Sequence, residues 1–395
     1  MFNVTCLNPI AQVGTRLLGD KYIMVDSLDQ ADAVLVRSAV MHDLELPDRL
    51  LVIARAGAGV NNIPLDKCSD QGIVVFNTPG ANANGVKEIV LAGLFLAARD
   101  ITGGIRWVRE NKDDENIAKL AEKNKKRFAG TEIQGKTLGV IGLGAIGVLV
   151  ANAAIDLGMN VVGYDPFISV DGAWQLDHRV HHINDIEELY PMCDYITIHV
   201  PAMESTIGMI NADAIARMKD GVSFLNFARD VLVDEQAMAE GLASGKVHRY
   251  VTDFPNTVSA KMEQAIVIPH LGASTSESED NCAVMAVREL KNYLEEGNII
   301  NSVNFPRTNL GHIQGTGRLT VFHKNIPNMI GQITAALYSF GANISNMTDK
   351  SRGEYAYGLY DVECELSSEL VQRIEAIEGV TRVRLIPKDN FCKRY

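Results

Sequence analysis

Apolar and polar positions follow three different rhythms along the chain. Up to about residue 80, short β-branched runs such as "VTCLN", "AVLVRS", "LLVIARAG" and "GIVVFN" alternate with polar stretches. That spacing predicts parallel strands with crossover helices, an α/β domain. From Gly85 to Arg109 the pattern is helical, apolar in its first half and charged in its second, as if one helix left one domain and entered another. Buried-strand runs return in "KTLGVIGLGAIGVLVANAAIDLGMNVVGYDP" (136–166), "YITIHV" (195–200), "VSFLNFA" (222–228), "RYVTDF" (249–254) and "AIVIPH" (265–270). Residues 276–296 read as one helix, opened by hydroxyl and acidic residues and closed by Gly297. A Pro-, Gly- and Asn-rich stretch, 301–317, reads as a linker. Beyond it the periods run β-α-β-β-α-β over 318–395, the order of a ferredoxin-like unit.

Composition narrows the classes of function. A chain of 395 residues, 47% hydrophobic and 22% charged, suits a soluble protein of two or three domains. Its net charge is −12 and only "EKNKKRF" (122–128) is locally basic, which argues against a nucleic-acid partner. "MFNVTCLNPI" lacks the basic and apolar regions of a signal peptide, and "IVLAGLFLAA" (89–98) is too short to span a bilayer. The six cysteines (Cys6, Cys68, Cys193, Cys282, Cys364, Cys392) form no CxxC, which fits free thiols in a reducing cytosol and argues against structural zinc. The expectation is a cytoplasmic protein with no membrane partner. "HRVHH" (178–182) has histidines at i, i+3 and i+4 without companion acids, so it is expected to be a solvated loop and not a metal site. Met203, Met209 and Met218 are expected to be packing residues.

Candidate chemistry begins with Gly142, Gly144 and Gly147, a G-x-G-x-x-G between the strand "LGVI" and a helix that opens with Ala145 and Ile146. The first glycine allows a tight turn, the second lets a pyrophosphate approach the backbone, and the third brings helix and strand close. Asp165 ends the next strand, where a carboxylate accepts from a ribose hydroxyl, and no arginine follows it. These features predict NAD rather than NADP. A nicotinamide cofactor implies hydride transfer, which needs a proton acceptor and a cation for the substrate. Arg229, Asp253 and His270 each lie just past a strand's C-terminal end, where α/β sheets bind ligands. Taken singly, Arg229 also fits a surface arginine paired with Asp230 or Asp234, and His270 a histidine in a strand-to-helix turn.

The ordered segments "GVIGLGAIG…YDP", "HVP", "NFAR", "TDF" and "PHLGAST" resemble the D-2-hydroxyacid dehydrogenases, most closely the branch that oxidises D-3-phosphoglycerate. "VRS" (36–38), "RAGAGVNNI" (55–63) and "NTPGAN" (77–82) are similar to that branch's substrate-domain signatures, and the third zone to an ACT regulatory domain. The resemblance implies a flavodoxin-like substrate domain split around a Rossmann domain: 1–92 with 268–305, then 93–267, a linker 306–317 and an ACT-like domain 318–395. It implies His270 as acid–base and Arg229 as the group holding the substrate carboxylate and carbonyl. Gly57, Ala58 and Gly59 would offer N–H groups to that carboxylate, and Arg37 and Arg55 would take the phosphate of 3-phosphoglycerate. His199, Pro201, Asp253 and Gly272 would join the glycine loop around the cofactor, with His199 as a wall near the adenine. The family pairs its histidine with a glutamate, but Thr257 and Val258 stand where that acid is expected. Glu263 or Asp253 remains to replace it. His323, Asn325 and Asn343 resemble L-serine-binding positions. The first two strands of the third zone are expected side by side, so that the three side chains meet. Binding at a pairing interface implies a homodimer or homotetramer. Two other readings stay open: a dehydrogenase of another 2-hydroxy acid such as 2-hydroxyglutarate, and a non-catalytic NAD-binding sensor.

Overall fold

The computed structural model describes residues 1–388; residues 389–395, which include Cys392, lie outside the described part. The first strands are β1 (Phe2–Cys6), β2 (Tyr22–Met24), β3 (Ala33–Val36), β4 (Val52–Arg55) and β5 (Val74–Phe76). All their pairings are parallel, in the order β2-β1-β3-β4-β5. That is the flavodoxin-type order. β3 and β5 are buried throughout, as parallel strands covered on two faces must be. A distant segment returns to this sheet: Ser302 bridges Phe76, Val303 N–H donates to Val75 O at 2.9 Å, and Asn304 Oδ1 accepts from Val75 N–H at 2.9 Å.

The helix expected over 85–109 is two helices, Ala83–Ala98 and Ile101–Glu110. They separate at Asp100, whose Oδ1 accepts the Gly103 N–H at 3.0 Å and so caps a new N-terminus. Seven strands follow: β6 (Thr137–Ile141), β7 (Asn160–Tyr164), β8 (His181–Ile183), β9 (Tyr195–Ile198), β10 (Val222–Asn226), β11 (Val247–Thr252) and β12 (Ala265–Val267). They form a parallel sheet in the order β12-β11-β10-β9-β6-β7-β8. This is a Rossmann order carrying a seventh strand, and its direction reverses between β6 and β9.

The C-terminal strands are β13 (Gly317–Lys324), β14 (Asn343–Arg352), β15 (Tyr355–Glu363) and β16 (Val380–Pro387), with helices Met329–Ser339 and Ser368–Glu375 between them. The β-α-β-β-α-β sequence is as expected, but the sheet order is β14-β15-β13-β16, all antiparallel. The first two strands are therefore not neighbours, because β15 lies between them. Leu319, Val321, Tyr360 and Val362 share a core with Ile333, Leu337, Leu370 and Ile374 of the two helices. Phe322, Tyr357 and Leu359, from the opposite face, belong to the same core as Val4, Phe76 and Tyr293.

The chain divides into two compact units, residues 1–82 with those from Glu279 onward, and residues 83–278. The divisions at 82/83 and 278/279 replace the expected 92/93 and 267/268, and the C-terminal sheet belongs to the first unit. The helix Ala83–Ala98 contributes Val86, Val90 and Leu94 to a core with Leu225, Phe227 and Val251, and Ile268 packs there too. The expected linker 306–317 is fastened as well. Thr308 is fully buried and exchanges two backbone hydrogen bonds with Ile299, at 2.8 and 2.9 Å. Among the described residues no helix is long and apolar enough to cross a membrane.

Candidate active site

In the second unit the glycine loop joins β6 to the helix Ala145–Asp156. Gly142 has φ +91°, a left-handed conformation that only glycine adopts freely, and its N–H donates to Tyr164 O at 2.8 Å. A side chain at Gly147 would collide with the Gly142 carbonyl, so the third glycine lets the helix start against the strand. A Cβ at Gly144 would meet nothing, which leaves the space above the helix N-terminus open. Asp165 is tied to this loop: one oxygen accepts from Leu143 N–H and the other from Phe167 N–H, each at 2.8 Å. His199 follows β9, across the switch point, with its carbonyl against Gly142. Its Nε2 meets Thr197 Oγ1 at 3.0 Å while Nδ1 is buried without a partner, and burial pushes its pKa down to about 3. The ring is thus neutral, with one buried nitrogen left without a partner. Pro201 O accepts from Thr206 Oγ1 at 2.6 Å and so turns the chain after this wall.

Arg229, Asp253 and His270 follow β10, β11 and β12, three adjacent strands of the one sheet. Arg229 is exposed, and Asn226 Nδ2 holds its carbonyl at 2.8 Å. His270 is exposed too, with its ring 4.9 Å from that of Phe254. Asp253 is 1% exposed. Its Oδ2 accepts from Gly272 N–H at 2.9 Å, and its Oδ1 is buried without a partner. Burial raises the Asp253 carboxyl pKa, against the opposing pull of the Gly272 N–H and the charge of His270. Glu263 precedes β12, at the other end of the strand from His270, and lines a surface cavity of about 650 Å³ with Leu242, Thr257, Val258 and Lys261. Asn256 turns the chain between β11 and β12: its Oδ1 accepts from Val258 and Ser259 N–H groups, each at 2.8 Å, and its Nδ2 bonds Glu235.

In the first unit the structure brings Arg37, Arg55 and Gly57 together. Arg55 Nε donates to Arg37 O at 3.1 Å, and a side chain at Gly57 would collide with the Arg55 guanidinium. Gly57 O accepts from Thr78 N–H at 3.1 Å, and Ala58 O from Asn77 Nδ2 at 2.6 Å, so the 57–59 loop is held from behind. Two partners escaped the sequence reading. Asn8 Oδ1 accepts from the N–H groups of Arg37, Ser38 and Ala39, and Glu279 pairs with Arg37 at 2.7 Å. Asn8 carried a usable signal as a short polar residue directly after a strand; Glu279 carried none.

His323, Asn325 and Asn343 do not meet within one chain. His323 pairs with Ala356 of β15 and Asn343 with Glu363, seven residues along the same strand, or about 23 Å at ~3.3 Å per residue. His323 is also buried and engaged, its Nε2 at 3.1 Å from Asp349 Oδ2 and its Nδ1 at 2.8 Å from Lys324 O. Asn325 Nδ2 donates to Gly353 O in the hairpin turn at 3.1 Å.

Residues 91–272 match the family of D-isomer specific 2-hydroxyacid dehydrogenases, NAD binding domain. Residues 91–272 thus carry the NAD-binding domain of the D-2-hydroxyacid dehydrogenases. The open glycine loop, the tethered Asp165 and the unpartnered His199 nitrogen fit this family's NAD. The chain is 35% identical over 293 residues to a D-3-phosphoglycerate dehydrogenase of Archaeoglobus fulgidus, covering 72% of this chain and 53% of that one. It is 29% identical to the Synechocystis D-3-phosphoglycerate dehydrogenase, over 98% of this chain and 67% of the relative. A solved NAD+-bound 3-phosphoglycerate dehydrogenase of Entamoeba histolytica superposes with a TM-score of 0.59 at 25% identity, over 76% of this chain and 98% of that one. The chain spans little more than half the length of the first curated relatives, 53% and 57%.

Proposed function

We propose that this dehydrogenase oxidises D-3-phosphoglycerate to 3-phosphohydroxypyruvate with NAD, the first step of the phosphorylated route to L-serine. The observation that carries the reading is the placement of Arg229, Asp253 and His270 past the ends of three adjacent strands. Gly142, Gly144, Ala145, Ile146, Gly147, Asp165, His199 and Pro201 would hold the cofactor, and NAD, when bound, accepts the hydride that leaves C2. His270 takes the proton of the C2 hydroxyl as that bond becomes a carbonyl. Arg229 holds the carboxylate and the carbonyl oxygen, where a guanidinium offers two parallel donors. Asp253 orients the imidazole and favours its charged form, the task the family gives to the glutamate missing at Thr257. The 57–59 loop would donate N–H groups to the substrate carboxylate, and Arg37 and Arg55 would take the phosphate. On this reading residues 1–82 with the segment up to 305 form the substrate domain, and residues 83–278 the cofactor domain.

The C-terminal βαββαβ module would be an ACT-like regulator of a homodimer or homotetramer. Its three serine-binding candidates lie apart in one chain, so an L-serine site that uses all three needs a second copy. A homo-oligomer is supported by the helix Ile101–Glu110, which buries none of its residues and exposes Ile101, Ile105 and Val108 along one side.

The test is NADH formation from D-3-phosphoglycerate at alkaline pH with the product removed, beside D-2-hydroxyglutarate and D-glycerate. Turnover that depends on the phosphate supports the reading, and faster turnover of D-2-hydroxyglutarate overturns the substrate. The same assay with millimolar L-serine tests the effector, and an unchanged rate removes it.

A further inference from the structure

Asn301 lies just beyond the long helix Ser276–Glu296 and ties that helix to the loop assigned to the substrate carboxylate. Its Nδ2 donates to Glu289 Oε1 at 2.6 Å, and its carbonyl accepts from Asn77 N–H at 3.4 Å. Asn77 Nδ2 then donates to Ala58 O at 2.6 Å, and the next N–H, that of Thr78, donates to Gly57 O at 3.1 Å. Three hydrogen bonds therefore lead from a helix side chain to the 57–59 loop, all within the first unit. On the other side of Asn301, Ser302 O accepts from Arg352 Nη1 at 3.0 Å, and Asn304 fixes the segment to β5.

The origin of this line is unusual. Glu289 is 7% exposed, and its Oε2 is buried without a partner. Burial raises its carboxyl pKa, offset by the Asn301 amide and the charge of Arg307. As mere filling, a buried carboxylic group costs more than an apolar side chain of the same size. What the carboxyl contributes is a strong acceptor, and it bonds the residue that carries the loop.

We propose that Asn301, anchored by Glu289, is a positioning residue. It fixes Asn77, and through it the 57–59 loop, and so sets the affinity for the substrate carboxylate without touching the substrate. This rests on the reading that the loop takes that carboxylate. Asn301→Leu removes the side-chain anchor to Glu289 and leaves the carbonyl that Asn77 uses. KM for D-3-phosphoglycerate should rise about tenfold, the upper range for one hydrogen bond. Its kcat and the NAD dissociation constant should stay within about twofold of wild type, because no group at the glycine loop changes. Amide exchange over residues 57–60 and 77–78 should quicken. Glu289→Gln keeps the acceptor oxygen and should leave KM and exchange near wild type, whereas Glu289→Leu should reproduce Asn301→Leu. An unchanged KM in Asn301→Leu overturns the proposal, as does an equal loss of kcat, NAD affinity and melting temperature, the mark of general loosening. If the wild type does not turn over D-3-phosphoglycerate, the substrate reading falls and amide exchange alone decides. Faster exchange in Asn301→Leu but not in Glu289→Gln upholds the positioning role, and no change refutes it.

Discussion

The seven-stranded and four-stranded sheets carry similar reactive residues in opposite settings. In the seven-stranded sheet Arg229, Asp253 and His270 stand beyond strand ends, and the arginine and histidine are open to solvent. In the four-stranded sheet Arg318, His323, Asp349 and Asp361 lie inside strands, buried and engaged with one another. Arg318 is fully buried and grips Asp361 through two bonds of 2.6 and 2.9 Å, while its Nη1 donates to Glu296 O at 2.6 Å and Gly311 O at 2.9 Å. Residue type does not separate chemistry from architecture here; position along the strand does. A side chain past a strand's end has no cross-strand neighbours to satisfy it and stays available to a ligand. Within a strand it must find its partner inside the protein or destabilise the fold.

This contrast can be broken by experiment. The largest effect should come from His270→Ala, which should lower kcat by about 10²–10⁴-fold, the range for a lost general base. NAD binding and thermal stability should be nearly unchanged; a variant within a few-fold of wild type would make His270 an ordinary turn residue. Arg318→Leu should act the other way round. It leaves Asp361 buried and unpaired, so chemical denaturation should show a loss of about 3–5 kcal/mol. A loss under about 1 kcal/mol would mean that the pair is dispensable.

The smallest effect concerns the two buried pairs of the four-stranded sheet compared with each other. Burial alone would lower the His323 pKa, but the hydrogen bond and charge of Asp349 with the Lys324 carbonyl outweigh it and raise it above the ordinary histidine value. The folded state thus binds the proton more tightly than the unfolded chain. Its stabilisation is complete below the unfolded pKa of about 6.5 and is lost as pH rises through the folded value. The unfolding free energy from denaturant titrations should be higher at pH 6 than at pH 9 in wild type, and the excess should shrink in His323→Gln. Arg318–Asp361, whose cation does not titrate there, should add nothing to that difference.

Much of the site was legible because its signals are local. Gly142, Gly144, Gly147 and Asp165 announce themselves through a strand, a turn and the next strand, which short-range backbone geometry dictates. Asp253 and His270 were singled out by the same rule, each at the end of an apolar run, and each follows a strand. Where Glu263 stands relative to His270 needed the fold, because the twelve residues between β11 and β12 do not reveal that Asn256 ties this segment to another helix. The meeting of His323, Asn325 and Asn343 failed for a related reason: element order was right, but the order of strands across the sheet was not.

The sequence by itself determined the period of most elements, the parallel or antiparallel character of the three sheets and the glycine loop. Each of these follows from side chains a few residues apart and from backbone sterics. Tertiary structure alone decided which pieces share a core: that the segment 306–317 is fastened, that Phe322 and Tyr357 bury with Phe76, and that Glu289 reaches Asn301. It also decided that Glu279 neutralises Arg37 and that Asn8 holds the backbone of residues 37–39. These contacts join residues that are 9 to more than 240 positions apart. No periodicity encodes such pairs, because they come from whole elements packing to bury their apolar faces, and each polar group then bonds whatever partner that packing brings within reach.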